Sequence, residues 1–291
     1  MRFILGILMS LCLFSCKLNN RAGTRKIMNE FSVADSLLVT GNKKLLSEYS
    51  YKILLPHFNN FDKYRKARLL NYLVASNDEK LVQITRNYLN ENYLKISKCD
   101  LDSELILYYK SINKNCLTYI DNKDVVLFEE IKNNDQYYRK QSSKYVNGTK
   151  KMDSIVTLIK SADANNQKEI KILLKKYASS EIIKNDCDCS LIKTIFLVAQ
   201  HSDNDILFQK EILTLFERDN TGSLPVYYTG YLKDRINMNE NKEQIYGTQL
   251  KFNADKKKYE LAPVADKNKL EKLRYNMNMI NVKHYIDNIN R

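Results

Sequence analysis

The chain is poor in the residues that interrupt helices, with only seven glycines and three prolines in 291 residues. Collagen-like, linker-rich and short-stranded all-β architectures need far more of both, so they are excluded. Tryptophan is missing, and His57, His201 and His284 are the only histidines, which leaves little for an imidazole-rich metal site. No stretch reaches the roughly 20 apolar residues that a membrane-spanning helix requires. Gly-x-Ser-x-Gly and Cys-His nucleophile patterns are also missing, and no second cysteine pair stands at zinc-ligand spacing beside Cys187-Asp188-Cys189. No metal and no cofactor are therefore expected.

What is present begins with a leader. Met1 and Arg2 open the chain with positive charge, and Phe3 to Phe14 is apolar except at Gly6 and Ser10. Such a segment is a signal-peptide core in length, too short to span. It runs into Leu13-Phe14-Ser15-Cys16, which resembles the lipobox of bacterial lipoproteins: an aliphatic residue at minus three, a small one at minus one, then the cysteine. Phe14 is bulkier than the pattern usually holds. The resemblance implies cleavage before Cys16 and lipid on that cysteine. Several acyl chains on one residue hold a protein to a bilayer far more firmly than one chain does. The expected partner is therefore a membrane, through lipid on Cys16, and the expected location is the cell envelope, periplasmic or surface-exposed. Residues 1–15 form the signal, 16–30 a polar tether, 31–121 an N-terminal helical region and 124–290 a C-terminal helical domain.

The formal charge of +13 invites a nucleic-acid reading. Lysine far exceeds arginine, however, and is scattered among Asn, Ile and Tyr, as AT-rich codons favour. Arginine is the residue that makes bidentate phosphate contacts, so nucleic acid is not expected as a partner. After loss of Cys12 and lipidation of Cys16, the cysteines left are Cys99, Cys116, Cys187 and Cys189. In an oxidising envelope they allow three full connectivities.

Apolar residues recur mainly at helical spacing, which predicts a mainly α, irregular helical bundle with a small β-hairpin near the C-terminus. Short amphipathic helices are expected around Leu37 to Tyr49, Tyr64 to Leu73, Leu81 to Leu89 and Leu105 to Tyr109. No fixed period supports a solenoid. A long helix carrying Asp135, Gln136 and Arg139 follows Asp124. Two more are predicted at 151–161 and 165–178, and Leu191 to Ala199 should be a buried helix ending at Gln200-His201. Ser202, with Asp205 as its capping-box partner, should start the next. Hairpin strands are predicted near 245–252 and 258–263, then helices at 266–276 and 281–289.

Four ordered motifs stand in the second half: Asp135-Gln136-Tyr137-Tyr138-Arg139, Gln200-His201-Ser202-Asp203, Asp234-Arg235 and Gln244-Ile245-Tyr246-Gly247-Thr248-Gln249. They resemble an uncharacterised bacterial domain family marked by Asp-Gln-x-x-Arg, Gln-His-x-Asp, Asp-Arg and Gln-x-Tyr-Gly-Thr-Gln. The resemblance covers residues 124 to 290. Ala178-Ser179-Ser180 replaces the Gly-Trp-Pro that members often carry there.

Read physically, these motifs gather polar groups at the ends of apolar helices, and polar groups drawn into a core must find partners. The expected pocket comprises His201, Asp203, Asp205, Asp234, Arg235, Gln136, Arg139, Tyr246 and Gln249. Recognition of a small-molecule or peptidic ligand there is the preferred reading. In the alternative, an envelope hydrolase, His201 is a general base steered by Asp203, Asp205 or Asp234, while Arg139 and Arg235 hold an anionic or carbonyl group. A metal site from His201 and Asp205 with Asp203 or Asp234 ranks lower, because a helix break at Ser202 spoils the geometry. In the purely structural reading Asp135 and Arg139 are a helical pair, Ser202 and Asp205 a cap, Asp234 and Arg235 a tie to the hairpin, and Tyr246 to Thr248 a bend.

Overall fold

The computed structural model describes residues 26–92, 96, 98–112, 120–142, 144–145, 149–186, 189–219 and 224–290. The leader, Cys16, Asn147-Gly148, Cys116, Cys187 and the Asn220 to Ser223 helix stop lie outside the described residues. The fold is mainly α, with one two-stranded antiparallel hairpin near the C-terminus. Residues 26–30, expected in the tether, belong to a helix over 26–39, α1.

The N-terminal helices are α2 (Lys43–Tyr49), α3 (Lys63–Val74), α4 (Glu79–Asn92) and α5 (Ser103–Ile112), with a π turn and a 3-10 turn between α2 and α3. Leu69, Leu70 and Leu73 of α3 are fully buried against Phe31, Leu46, Leu54 and Phe58. Each such side chain contributes at most about 1.5–3 kcal/mol. Asp62 caps α3 by accepting from the amides of Tyr64 and Arg65.

The second half contains α6 (Asn122–Ser142), α7 (Lys150–Lys176), α8 (Ser179–Asn185), α9 (Ser190–His201), α10 (Ile206–Glu217) and α11 (Val226–Asn239). Strands β1 (Leu250–Asn253) and β2 (Lys258–Leu261) pair from Leu250 with Leu261 to Asn253 with Lys258. Helices α12 (Leu270–Asn276) and α13 (Val282–Ile289) end the chain. The two helices expected at 151–161 and 165–178 are one, because residues 161–165 hold neither glycine nor proline to break the ladder.

Helix α9 is the axle of this half. Leu191, Ile192, Ile195, Val198 and Ala199 fall at the spacing of one helical face and are buried. Around it pack α6, α7, α8, α10 and α11. Its last turn therefore opens where several neighbours converge.

Ser202 does not start α10, contrary to the capping-box expectation. It closes α9, with Oγ donating to the Val198 carbonyl at 2.7 Å, and Asp205 is the N-cap, accepting from the Phe208 amide at 2.9 Å. The N-cap expected of Ser202 is thus made by Asp205, its expected capping-box partner.

The two halves are bound covalently and by hydrogen bonds. Cys99 and Cys189 form a disulfide, Lys98 Nζ donates to the Ile183 carbonyl at 3.2 Å, and Arg65 Nη2 donates to the Tyr275 carbonyl at 2.7 Å while stacking on that ring.

Candidate functional site

His201 is the final residue of α9, half-buried at the edge of the C-terminal core. Its Nδ1 lies 2.6 Å from Oδ1 of Asp135 on α6. Asp135 is only 1% exposed, and its second oxygen accepts from Gln136 Nε2 at 2.6 Å. Burial, the largest single influence, pushes the Asp135 carboxyl up, but hydrogen bonding and charge from His201, with Arg139 and Gln136, outweigh it and hold it below the ordinary value. An ionised Asp135 places the imidazole proton on Nδ1 and leaves the Nε2 lone pair outward. His201 is therefore steered from α6, not by Asp203, Asp205 or Asp234.

A cavity of about 520 Å³ opens beside the ring, within the size range of small-ligand clefts. Arg139, Gln200, His201, Asp203, Arg235 and Gln249 line it, all from the four sequence motifs, together with Thr248. Ile159, Asp163 and Tyr231 complete the wall. These three, the wall positions of Gln200 and Thr248, and the steering role of Asp135 are not among the site residues that the sequence predicts. Asp135 and Gln200 had a signal there, since each opens a motif; Asp163 had none.

The arginines are engaged. Arg139 Nη2 grips both oxygens of Asp163 at 2.9 and 3.0 Å, while toward Asp135, its expected helical partner, Nη1 donates to the backbone carbonyl at 3.3 Å and stays 4.0 Å from the carboxylate. Arg235 holds Asp203 through Nε at 2.7 Å and through Nη2, and its Nη1 donates to Gln249 Oε1 at 3.1 Å. Burial pushes Asp203 up most strongly, yet Arg235 and Asn239 bring it below its ordinary value. For Asp163 burial wins over Arg139, and its carboxyl is raised. The expectation of arginines free to hold an anion is corrected: a guanidinium locked on a carboxylate carries little net charge to offer.

Four expected pocket residues lie outside the cavity wall. Asp234 is fully buried and accepts from the amides of Ile245 at 2.7 Å, Tyr246 at 3.0 Å and Thr248 at 3.0 Å, and from the Thr248 hydroxyl at 3.0 Å. Tyr246 lines a separate cavity with Pro225 and Lys233. Asp205 accepts from Lys171 at 2.7 Å and Gln167 at 2.9 Å, away from the His201 cavity. Gln136 acts behind Asp135 rather than in the wall.

The Gln244 to Gln249 segment is tied from every side. The Gln244 amide substitutes for a backbone rung, donating to the carbonyls of Gln249 at 3.0 Å and Ala262 at 2.7 Å and accepting from the Gln249 amide at 2.8 Å. Gly247 has φ +63°, a conformation that glycine reaches without strain. Arg274, only 1% exposed, donates to the carbonyls of Tyr246 at 2.7 Å and Gly247 at 3.0 Å. Together these contacts present Thr248 and Gln249 to the cavity as rigid groups.

For a metal ion, the relevant donors are Asp135, Asp163 and His201, whose ligand atoms lie within 4.8 Å of one another. They differ from the set expected from sequence, since Asp205 and Asp234 are committed elsewhere. Two carboxylates and an imidazole suit a divalent cation in kind. Here Arg139 occupies Asp163 and Nδ1 of His201 occupies Asp135, so a cation would have to displace both.

One wall group is unsatisfied. Gln200 is 9% exposed, and its amide nitrogen is buried with no hydrogen-bond partner among the described residues. A buried donor left unpaired costs about 1–3 kcal/mol. No family model, curated protein or solved structure matches the chain.

Proposed function

We propose that this chain is a lipid-anchored protein of the bacterial cell envelope that binds a small polar ligand in the cavity beside His201. The leader and Cys16 support the anchor, and among the described residues no helix is long and apolar enough to cross a membrane. A Cys99–Cys189 disulfide suits an oxidising compartment. The four motifs support placing residues 124–290 in the uncharacterised domain family that they resemble.

The observation that carries the binding reading is the polar cavity beside the Asp135-backed imidazole, whose wall includes Gln200, a residue with a buried amide nitrogen that has no hydrogen-bond partner among the described residues. A turn of the Gln200 amide toward a ligand oxygen in the cavity gives that nitrogen an acceptor and recovers the desolvation cost. The test is a thermal-stabilisation screen of envelope-derived small molecules on the mature chain carrying Cys16→Ser, repeated with His201→Ala. A compound that raises Tm of the first protein and not of the second supports binding. A large fall in the unliganded Tm of His201→Ala, with no stabilising compound, supports a purely structural role instead.

One contact favours a second reading, an envelope hydrolase. The 2.6 Å Asp135–His201 contact leaves Nε2 as a base for a water molecule. Water is the nucleophile that fits, because the Thr248 hydroxyl is already donated to Asp234 and burial raises the Tyr231 phenol above its ordinary value. Turnover on peptide, ester or glycan panels that drops about 10²-fold or more in Asp135→Asn supports it. Turnover that ignores this substitution sinks it.

A further inference from the structure

We infer that the cavity takes a neutral, polyhydroxylated ligand of one or two sugar rings, and not an anion. This rests on the ligand-binding reading and names its ligand class. The first observation is the charge count. Arg139 and Arg235 contribute two positive charges, whereas Asp163, Asp203 and the Asp135 behind His201 contribute three negative ones. With a neutral imidazole the site carries one net negative charge, and with a protonated one it carries none. An incoming phosphate or carboxylate thus meets no excess positive field, and must break an Arg–Asp pair to find one.

The second observation is the arrangement of donors beside acceptors. Each Arg–Asp pair sets a guanidinium edge next to a carboxylate edge, at 2.9 Å for Arg139 with Asp163 and at 2.7 Å for Arg235 with Asp203. A hydroxyl donates and accepts through one oxygen, so adjacent hydroxyls satisfy both halves of such a pair without separating it. Gln200 supplies the unpaired buried donor already described. A carboxylate accepts only and leaves the carboxylate edges without donors, and hydrogen phosphate offers them one or two donors at the cost of bringing its own negative charge beside them.

The third observation is how few hydrophobic side chains stand in the wall. Apart from Ile159 and Tyr231, every lining side chain is polar or charged. A peptide side chain needs a largely hydrophobic recess, whereas a sugar ring presents a small C–H face that one aromatic and one aliphatic residue can cover. The cavity of about 520 Å³ is large enough for such a ligand.

The test titrates the mature Cys16→Ser chain with chitobiose, cellobiose and maltose, and separately with inorganic phosphate and N-acetyl-dialanine amide, by calorimetry and by the ring signals of His201. The expected result is saturable binding of at least one disaccharide that shifts the His201 signals, with no binding of phosphate. In Gln200→Leu the disaccharide affinity falls at least tenfold. In Asp203→Asn, which removes a negative charge and frees Arg235, it also falls at least tenfold and phosphate binding appears. If phosphate or the blocked dipeptide shifts His201 and no disaccharide does, the sugar inference is overturned while the binding pocket stands. If none of the five probes shifts His201, the sugar inference is overturned and the binding reading loses its support as well.

Discussion

Asp135 and His201 are 66 positions apart in sequence, yet Oδ1 of one lies 2.6 Å from Nδ1 of the other. A carboxylate almost fully buried behind a half-exposed imidazole fixes which ring nitrogen carries the proton and where the other faces.

Asp135→Asn keeps the shape of this contact and removes the charge. The ring then loses its bias, and long-range 1H–15N spectra should show His201 shifting from an Nδ1-protonated tautomer toward a mixture. An unchanged tautomer would mean that Asp135 does not steer the ring.

The same group sets part of the acid response. Asp135, Asp203 and Asp205 are all held below the ordinary aspartate value in the folded chain. Their stabilisation is complete above the unfolded value of about 3.9 and is lost as pH falls through the lower folded values. Asp163, raised by burial, has the opposite sign: its penalty at neutral pH is relieved on acidification. Denaturant unfolding at pH 7, 5, 4 and 3 should therefore show stability falling below about pH 4, with a shallower fall in Asp135→Asn. A fall of equal steepness in both proteins contradicts the assignment.

Asp234 gathers three backbone amides and a hydroxyl into one buried carboxylate. Asp234→Ala leaves those donors without an acceptor and should destabilise the fold by about 3–5 kcal/mol. Urea unfolding measures it, and a loss under about 1 kcal/mol would show that the segment holds itself.

The Cys99–Cys189 bridge spans 90 positions and joins the N-terminal region to the start of α9. Its removal in Cys99→Ser should lower stability by about 2–5 kcal/mol, mainly by freeing the unfolded chain. Peptide mapping of the exported protein should recover the Cys99–Cys189 linkage. Recovery of both as free thiols counters the envelope assignment as well as the bridge.

Release of Cys16→Ser from membranes, with loss of labelling by a fatty-acid probe, is expected of the anchor. Retention of both refutes the lipobox.

Helix positions were legible because the apolar stripes are strong. Leu191 to Ala199 reads as a buried helix and is one, and the last helices lie within a few residues of where periodicity sets them. The hairpin was legible as well, though Leu250–Asn253 and Lys258–Leu261 are shorter than expected, since the Gln244 amide and Asp234 do the work of strand rungs before Leu250. Division of the site was not legible. Nothing local distinguishes Asp203, which faces the cavity, from Asp205, which caps a helix, or from Asp234, which pins a turn. Asp163 joins the wall only because α7 continues unbroken past residue 161 and brings it to Arg139. Such pairings are set by how helices lie against one another, and sequence spacing within one helix carries no record of them.

The Nε2 face of His201, backed by Asp135, is where a bound ligand has to be seen. The most direct measurement is a structure of the mature Cys16→Ser chain soaked with a compound that stabilises it. Ligand oxygens are expected within hydrogen-bond distance of His201 Nε2 and of a Gln200 amide nitrogen turned to meet them, with both Arg–Asp pairs intact. A ligand seated elsewhere, with Gln200 turned to a protein partner, would contradict this placement.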